Sequence, residues 1–328
     1  MIKNITIIGG GVLGSQIAFQ LAFKKCNVTI FNRNEESMDR TQQKLKIVQN
    51  EYLSDINHAT KNYNDVLNNI NTKTNLLPKI SSIINDSSKK TIKNLDNVIK
   101  KINFETNIKN AVSNADLVIE CVPEILNIKK EVWTSISKVA PQKTIFATNT
   151  STMLPSQLVK FVDRPTKFLA FHFANQIWKR NIVEIMGQNQ TDYHIYDEMI
   201  NFARSIGMIP IQLKKEIPAY ILNNLIIPLL NSAQMLYTNE IADPYTIDKD
   251  WMIGTNSLIG PFGMIDIIGI KTAYNVVKES AKTGDKLSIK IAKNLKENFI
   301  DKNKLGVISG EGFYKYPHPA YKDPSFLK

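Results

Sequence analysis

The chain is poor in the residues that would make it a disulfide protein, a membrane protein or a metalloprotein. Its 328 residues include two cysteines, Cys26 and Cys121, too few for a disulfide scaffold. Each sits in a strand-like apolar run, the usual setting of a reduced, buried thiol. No apolar run approaches the ~20 residues of a membrane span. The apolar start at Ile2 is short and soon broken by glycine, so it does not read as a secretion signal. A cytoplasmic location is the expectation. The four histidines, His58, His172, His194 and His318, are scattered. No close His, Cys, Asp or Glu set has ligand spacing, so no metal site is expected. There is no internal repeat and no low-complexity linker. Positive charge, by contrast, is plentiful: 41 Lys and Arg against 30 Asp and Glu leave a formal charge of +11. The lysines are spread along helical stretches and mixed with Asn, without an arm or interleaved aromatics, so nucleic acid is not the expected partner. A basic enzyme with a polyanionic substrate fits that charge, as does plain compositional bias. A hydrophobic content of 43% is ample for a core, and the length favours two domains.

Residues 2–33 form one nucleotide-binding unit. The apolar run Ile2 to Ile8 suits a buried parallel strand. GGGVLG follows, with Gly9, Gly11 and Gly14 in G-x-G-x-x-G spacing and Val12 and Leu13 between them. The helical stretch SQIAFQLAFKK comes next, then a second apolar run, Cys26 to Phe31, ending at Asn32-Arg33. Strand, glycine turn, helix and strand in this order bind dinucleotides. The first glycine permits the tight turn, the second lets pyrophosphate approach bare backbone, and the third lets the helix pack close to the sheet. Free N–H groups at the helix start favour the phosphates.

Beyond Asn34 the chain turns helical to about residue 102. Met38, Leu45, Val48 and Tyr52 mark an apolar stripe that Val66, Leu67 and Ile70 continue. Pro78 suggests a break near Leu77. A second helical region, Ser81 to Lys101, carries Ile83, Ile84, Ile92, Leu95, Val98 and Ile99. The expectation is a helical hairpin inserted over about 35–102. Strands then resume at 103–106, 115–123, 144–149, 167–173, 182–186 and 209–213, with helices at 128–139 and 193–206. This alternation implies an α/β fold, a Rossmann-type doubly wound parallel sheet. From Pro218 onward the pattern is helical without strand alternation. The expected division is a dinucleotide-binding domain over 1–214 and an all-helical domain over 215–328.

Redox chemistry at a carbon bearing oxygen needs a proton donor and acceptor beside that oxygen, and histidine is the usual choice. His58, His194 and His318 read as surface residues. His172 ends the apolar strand KFLAFH, where ligands collect in such sheets, although packing alone also explains a histidine there. Ser151, in Asn149-Thr150-Ser151, ends the preceding strand, where a turn or helix cap is the simpler reading. Glu184 sits on the next strand, placed either to orient an imidazole or merely at the surface.

GGGVLG, ADLVIECVPE with its downstream lysine, NTS, HF-x-N with a glutamate twelve residues after the histidine, ILNNLIIP, GPF with a following Asp, and GEGFYKY occur in one order. In that order the chain resembles, essentially end to end, the monofunctional 3-hydroxyacyl-CoA dehydrogenases. The resemblance implies that His172 is the general acid/base at the 3-oxygen, paired with Glu184, while Ser151 hydrogen-bonds that oxygen and Asn223 reaches the substrate. It implies that Glu124 and Lys129 lie near the nicotinamide end of the cofactor, with Asn149, and that Asn175 lines the substrate pocket. It further implies a short-chain CoA thioester substrate gripped with the help of the lysine-rich hairpin, NAD as cofactor, and a homodimer built on the helical domain.

Three departures qualify these expectations. Family members often end the second strand with Asp, which binds the adenosine ribose and repels a 2′-phosphate. Asn32 drops the repulsion, and Arg33 could pair with phosphate or simply face solvent, so NADP stays open beside NAD. Asn-Pro often follows the histidine in the family, whereas here Asn175-Gln176 precedes Ile177-Trp178-Lys179-Arg180, leaving the acyl group and the CoA moiety open. Asn224 replaces a commoner Arg. The alternatives are a dehydrogenase of a non-CoA 3-hydroxy acid of the carnitine or gulonate kind, with Trp178 and Trp251 available to a cationic substrate, and a dinucleotide-binding sensor without turnover.

Overall fold

The computed structural model describes residues 2–69 and 80–328. The chain divides into two compact units, Met1–Ile221 and Leu222–Lys328.

The first unit opens with β1 (Asn4–Ile8), α1 (Val12–Phe23) and β2 (Asn27–Phe31), followed by the helices α2 (Glu35–Asn69) and α3 (Ile80–Leu95). It continues through β3 (Ile102–Glu105), α4 (Ile108–Val112), β4 (Leu117–Glu120), α5 (Leu126–Val139) and β5 (Ile145–Thr148). α6 (Pro155–Leu158), β6 (Phe168–Phe173), β7 (Ile182–Met186), α7 (Tyr193–Ser205) and β8 (Ile209–Leu213) complete it. The eight strands form one sheet in the order β3-β2-β1-β4-β5-β6-β7-β8. β4, β5 and β6 are buried along their whole length, as expected of strands covered by helices on both faces. The strand order reverses between β1 and β4, which opens a crevice at their carboxyl ends. The sheet is not wholly parallel. β7 runs antiparallel to β6, and β8 then runs parallel to β7. The link between β6 and β7 is too short for the helical crossover that a parallel neighbour needs.

α2 and α3 form the expected hairpin. Thr60 Oγ1 and Ser88 Oγ lie 2.7 Å apart, and Gln49 Nε2 donates to the Leu95 carbonyl at 2.9 Å. Leu45, Val48 and Tyr52 bury the α2 stripe in the core. The second helix stops at Leu95, short of the expected Lys101, because the chain tightens into turns and a 3-10 segment, Ile99–Lys101. Ile70 and the break expected at Pro78 near Leu77 lie outside the described residues, as do the side chains of Val66, Leu67 and Ile83.

The division falls after Ile221 and not at Lys214, because residues 216–221 hold to the first unit. Ser156 N donates to Glu216 Oε1 at 2.7 Å, and the Tyr220 side chain is fully buried. α8 (Tyr220–Thr238) starts with those last two residues and runs into the second unit. α9 (Pro244–Thr255), α10 (Pro261–Ile268), α11 (Ile270–Ala281) and α12 (Lys286–Asn298) follow. Two buried aspartates organise this helical unit. Asp248 accepts from Phe262 N, Gly263 N and the Tyr314 hydroxyl at 2.8–2.9 Å. Asp266 accepts from Phe313 N at 2.9 Å, Tyr314 N at 2.8 Å and the Tyr316 hydroxyl at 3.2 Å. GPF and GEGFYKY are therefore packing motifs. A Cβ at Gly312 would lie 2.0 Å from Asp266 Oδ1, so no other residue fits there. Among the described residues no helix is long and apolar enough to cross a membrane.

Replacing Asp266 with Ala strands two buried N–H donors, each worth ~1–3 kcal/mol, and the half-buried Tyr316 hydroxyl. The expected cost is about 3 kcal/mol or more, read from urea unfolding. Burial pushes the Asp266 carboxyl up to about 6, against the pull of the Phe313 and Tyr314 N–H groups. An unfolded Asp titrates near ~4, so between ~4 and about 6 the native state binds the proton more tightly, and this contribution to stability falls as pH rises through that window. The slope should flatten in Asp266→Asn.

Candidate active site

The glycine turn sits where β1 meets α1. Gly9 has φ +103°, in the region that favours glycine, and a Cβ on Gly14 would lie 2.1 Å from the Gly9 carbonyl oxygen. A Cβ on Gly11 would meet nothing within 4 Å, so this backbone is open to an approaching group. No side chain caps the first turn of α1. Its N–H groups and dipole suit a pyrophosphate. A crevice of about 620 Å³ lies here, lined by Gly9, Gly11, Asn32, Arg33, Thr41 and Lys44 among others. Val12 is exposed and Leu13 packs on the core.

Asn32 is buried and its amide has a fixed sense. Nδ2 donates to Thr41 Oγ1 at 2.8 Å and to the Ser37 carbonyl at 3.2 Å. A carbonyl only accepts, so the nitrogen must face inward. Oδ1 is buried without a protein partner. A ribose hydroxyl would supply the missing donor, so the site fits the adenosine half of a dinucleotide. Arg33 is exposed at the rim.

A buried ion cluster lies behind the ends of β4 and β5. Glu120 and Lys129 are almost wholly inaccessible, with Lys129 Nζ 2.7 Å from Glu120 Oε1 and 3.1 Å from Glu124 Oε2. Glu120 Oε2 accepts from Thr148 Oγ1 at 2.7 Å. Glu124 Oε1 accepts from the Thr150 hydroxyl and from Ser151 N and Thr152 N at 3.1 and 2.9 Å. Burial works to raise the Glu124 carboxyl, but Lys129 and these hydrogen bonds hold it below the usual range. Burial likewise works to lower Lys129, and Glu120 and Glu124 overcome it, so the ammonium titrates above the ordinary lysine range. Glu120 reads in sequence as part of an apolar strand. A lone acidic residue within LVIE, nine residues before a lysine on the following helix, was the available signal.

Ser151 just past β5, His172 near the end of β6 and Glu184 midway along β7 come together. Glu184 Oε2 lies 3.0 Å from His172 Nδ1, and Ser151 Oγ lies 3.2 Å from Nε2. A carboxylate only accepts, so Nδ1 carries the hydrogen and the Nε2 lone pair faces the Ser151 hydroxyl. The Nε2 edge is equipped to take up and return a proton, with Glu184 placed to stabilise the imidazolium. Tyr220, which no local sequence pattern singles out, stacks on His172 at 4.2 Å between ring centroids. Asn149 Oδ1 accepts from Phe173 N at 2.9 Å and ties the end of β5 to β6. Asn175 is exposed in the loop after β6. Trp178 in that loop donates from Nε1 to Asp55 at 2.7 Å and packs on Tyr52, so it anchors the loop to α2. Asn223 lies in the second unit, half-buried on α8.

A glycine turn at the switch point of a doubly wound sheet, with a histidine–carboxylate pair at the neighbouring strand ends, defines a dinucleotide-binding oxidoreductase. Residues 4–84 and 75–217 match the family model of the 3-hydroxyacyl-CoA dehydrogenase NAD binding domain, and residues 220–316 match that of the 3-hydroxyacyl-CoA dehydrogenase C-terminal domain. The chain belongs to the 3-hydroxyacyl-CoA dehydrogenase family, and its cofactor is accordingly NAD. It is similar to the solved structure of a diketoreductase described by its substrate-directed dual catalysis of dicarbonyl compounds, at 41% identity and TM-score 0.79, covering 96% of this chain and 99% of that one. It is 28% identical to the 3-hydroxybutyryl-CoA dehydrogenase of Clostridioides difficile over 220 residues, 67% of this chain and 77% of that protein. It is 26% identical to human mitochondrial hydroxyacyl-coenzyme A dehydrogenase over 316 residues, 96% and 92% of the two chains.

Lys129→Met leaves buried Glu120, and the more open Glu124 beside it, without their cation. Breaking a buried pair this way costs ~3–5 kcal/mol. Denaturant unfolding of the variant should show a loss of that order, and an unchanged midpoint would rule out the ion cluster as a structural support.

Proposed function

We propose that the chain interconverts a short 3-hydroxyacyl-CoA and its 3-oxo form with NAD, and that His172 is the general acid/base. The observation that carries this reading is the His172 imidazole held between Glu184 and Ser151. NAD, when bound, supplies the two-electron redox partner. In oxidation the substrate hydroxyl donates to His172 Nε2 and passes its proton there. Glu184, 3.0 Å from Nδ1, stabilises the cation that forms. Ser151 Oγ hydrogen-bonds the same substrate oxygen and fixes its distance from Nε2. Reduction returns the proton from Nε2 to that oxygen. Asn175 and Asn149 line the reaction site. Glu124 and Lys129 brace the chain at the nicotinamide end.

The Asn32 amide supports NAD over NADP. Its oxygen is a buried acceptor without a protein partner, which suits a hydroxyl donor and not a 2′-phosphate. Exposed Leu225, Leu258 and Ile308 support the helical unit as the dimerising one.

A second reading has its own observation. At 41% identity the diketoreductase, named for its catalysis of dicarbonyl compounds, is similar over nearly the whole chain, which favours a dicarbonyl compound as substrate in place of an acyl-CoA. A 3-oxoacyl-CoA is itself a 1,3-dicarbonyl, so the same proton-transfer residues serve both.

Initial rates with acetoacetyl-CoA and with ethyl acetoacetate, each with NADH and NADPH, separate these readings. The expected result is thioester turnover with NADH at least ~10-fold ahead of NADPH, about 1.4 kcal/mol of discrimination. Turnover of the ester alone establishes the second reading. His172→Ala should lose ~10²–10⁴ in kcat while still binding NADH, as followed by its fluorescence. Retained turnover would sink the assignment of the acid/base.

A further inference from the structure

We propose that Tyr220 is a positioning residue for proton transfer, clamping the face of the His172 imidazole; this rests on reading His172 as the acid/base. Glu184 and Ser151 hold the ring at its two nitrogens. Two in-plane contacts at opposite edges leave the ring free to swing about the line that joins them. A flat surface against its face stops that swing. Tyr220 supplies one, with its ring 12° from parallel and its centroid 4.2 Å away.

Tyr220 is itself rigidly held. Its side chain is fully buried, and its hydroxyl donates to the Thr150 carbonyl at 2.8 Å. Burial, with the nearby carboxylates of Glu124, Glu184 and Glu120, pushes the phenol upward, so it stays a neutral donor. Thr150 precedes Ser151, and its own hydroxyl rests on Glu124. The clamp therefore takes its reference from the strand end that presents Ser151. The next residue adds a third tie, Ile221 N donating to Glu184 Oε1 at 2.9 Å. Residues 220 and 221 thus touch His172, Glu184 and the backbone beside Ser151.

The backbone is bent to make this possible. Ala219 has φ 64° and Tyr220 has φ 57°, two successive residues with a Cβ in the left-handed region. That conformation is unfavourable for both, and more so for a bulky aromatic. Such strain persists where surrounding contacts over-determine it, and here the contacts are those of the proton-transfer site.

The test uses the full-length protein, NADH and whichever of the two 1,3-dicarbonyl probes is turned over. Tyr220→Leu removes the stack, and Tyr220→Phe keeps it without the hydroxyl. Tyr220→Leu should lower kcat by about 10- to 100-fold, with the KM for NADH changed less than ~2-fold. The isotope effect with 4-deuterated NADH should rise, because misplacing the acid makes chemistry limiting; a mere loss of folded protein leaves that ratio unmoved. Tyr220→Phe should stay within ~3-fold of the parent, with the parent isotope effect. Tyr220→Leu with parent kcat and isotope effect, or Tyr220→Phe as impaired as Tyr220→Leu, overturns the proposal. NMR of histidine-labelled protein gives a readout that needs no turnover and no variant that might fail to fold. With four histidines in the chain, the His172 ring protons are identified by their loss in His172→Ala, and they should show contacts to the Tyr220 ring and a ring-current shift. Absence of both overturns the clamp. If His172→Ala keeps its turnover, the acid/base reading fails whatever Tyr220 does. If His172→Ala is inactive and Tyr220→Leu behaves as the parent, the clamp alone fails.

Discussion

The register between β6 and β7 decides whether this molecule has a histidine–carboxylate pair at all. His172 and Glu184 face each other as cross-strand partners in an antiparallel ladder. Side chains alternate between faces, so a slip of one residue would send Glu184 to the opposite side of the sheet. The apolar neighbours enforce the register, since Phe171, Phe173, Val183 and Ile185 are all buried in the same core cluster. The antiparallel register, with Ala170 against Met186 and Phe173 against Val183, is thus what sets the imidazole opposite the carboxylate.

Charge burial beneath that edge has a corresponding role. Taking Glu120 and Lys129 out of water is costly, and an apolar pair would fill the volume as well. What an apolar pair would not do is fix Glu124. Lys129 holds one Glu124 oxygen, and the other collects the Thr150 hydroxyl and the N–H groups of Ser151 and Thr152. Three links therefore run from a buried ammonium to the backbone that sets Ser151. The cluster is better understood as a footing for the turn after β5 than as a source of stability.

How much was legible in the sequence follows from how local each signal is. Gly9, Gly11 and Gly14 act through their own backbone, so spacing alone located the crevice. Ser151 and His172 end apolar runs, and strand ends in such sheets share one edge. The reversal of β7 was less visible, because strand–helix alternation implies parallel pairing. The short stretch 174–181 between β6 and β7 was the available clue. Glu120 was hidden by its strand, whose apolar neighbours made it look like core. Tyr220 was hidden for the opposite reason, since its contact partner lies 48 residues earlier and nothing in a helical pattern points to it. The tail motif GEGFYKY was legible as a marker, but its spacing gave no hint that it serves Asp266.

That last attachment bears on the order in which the chain is completed. Asp266 waits for backbone donors 47 and 48 residues further on, and Asp248 for a hydroxyl 66 residues further on. A ribosome finishes the sheet unit, with its nearest-neighbour strand pairings, well before residues 313–316 emerge. The helical unit leaves the ribosome with two solvated carboxylates where its core will be. Its closure follows the emergence of residues 313 and 314.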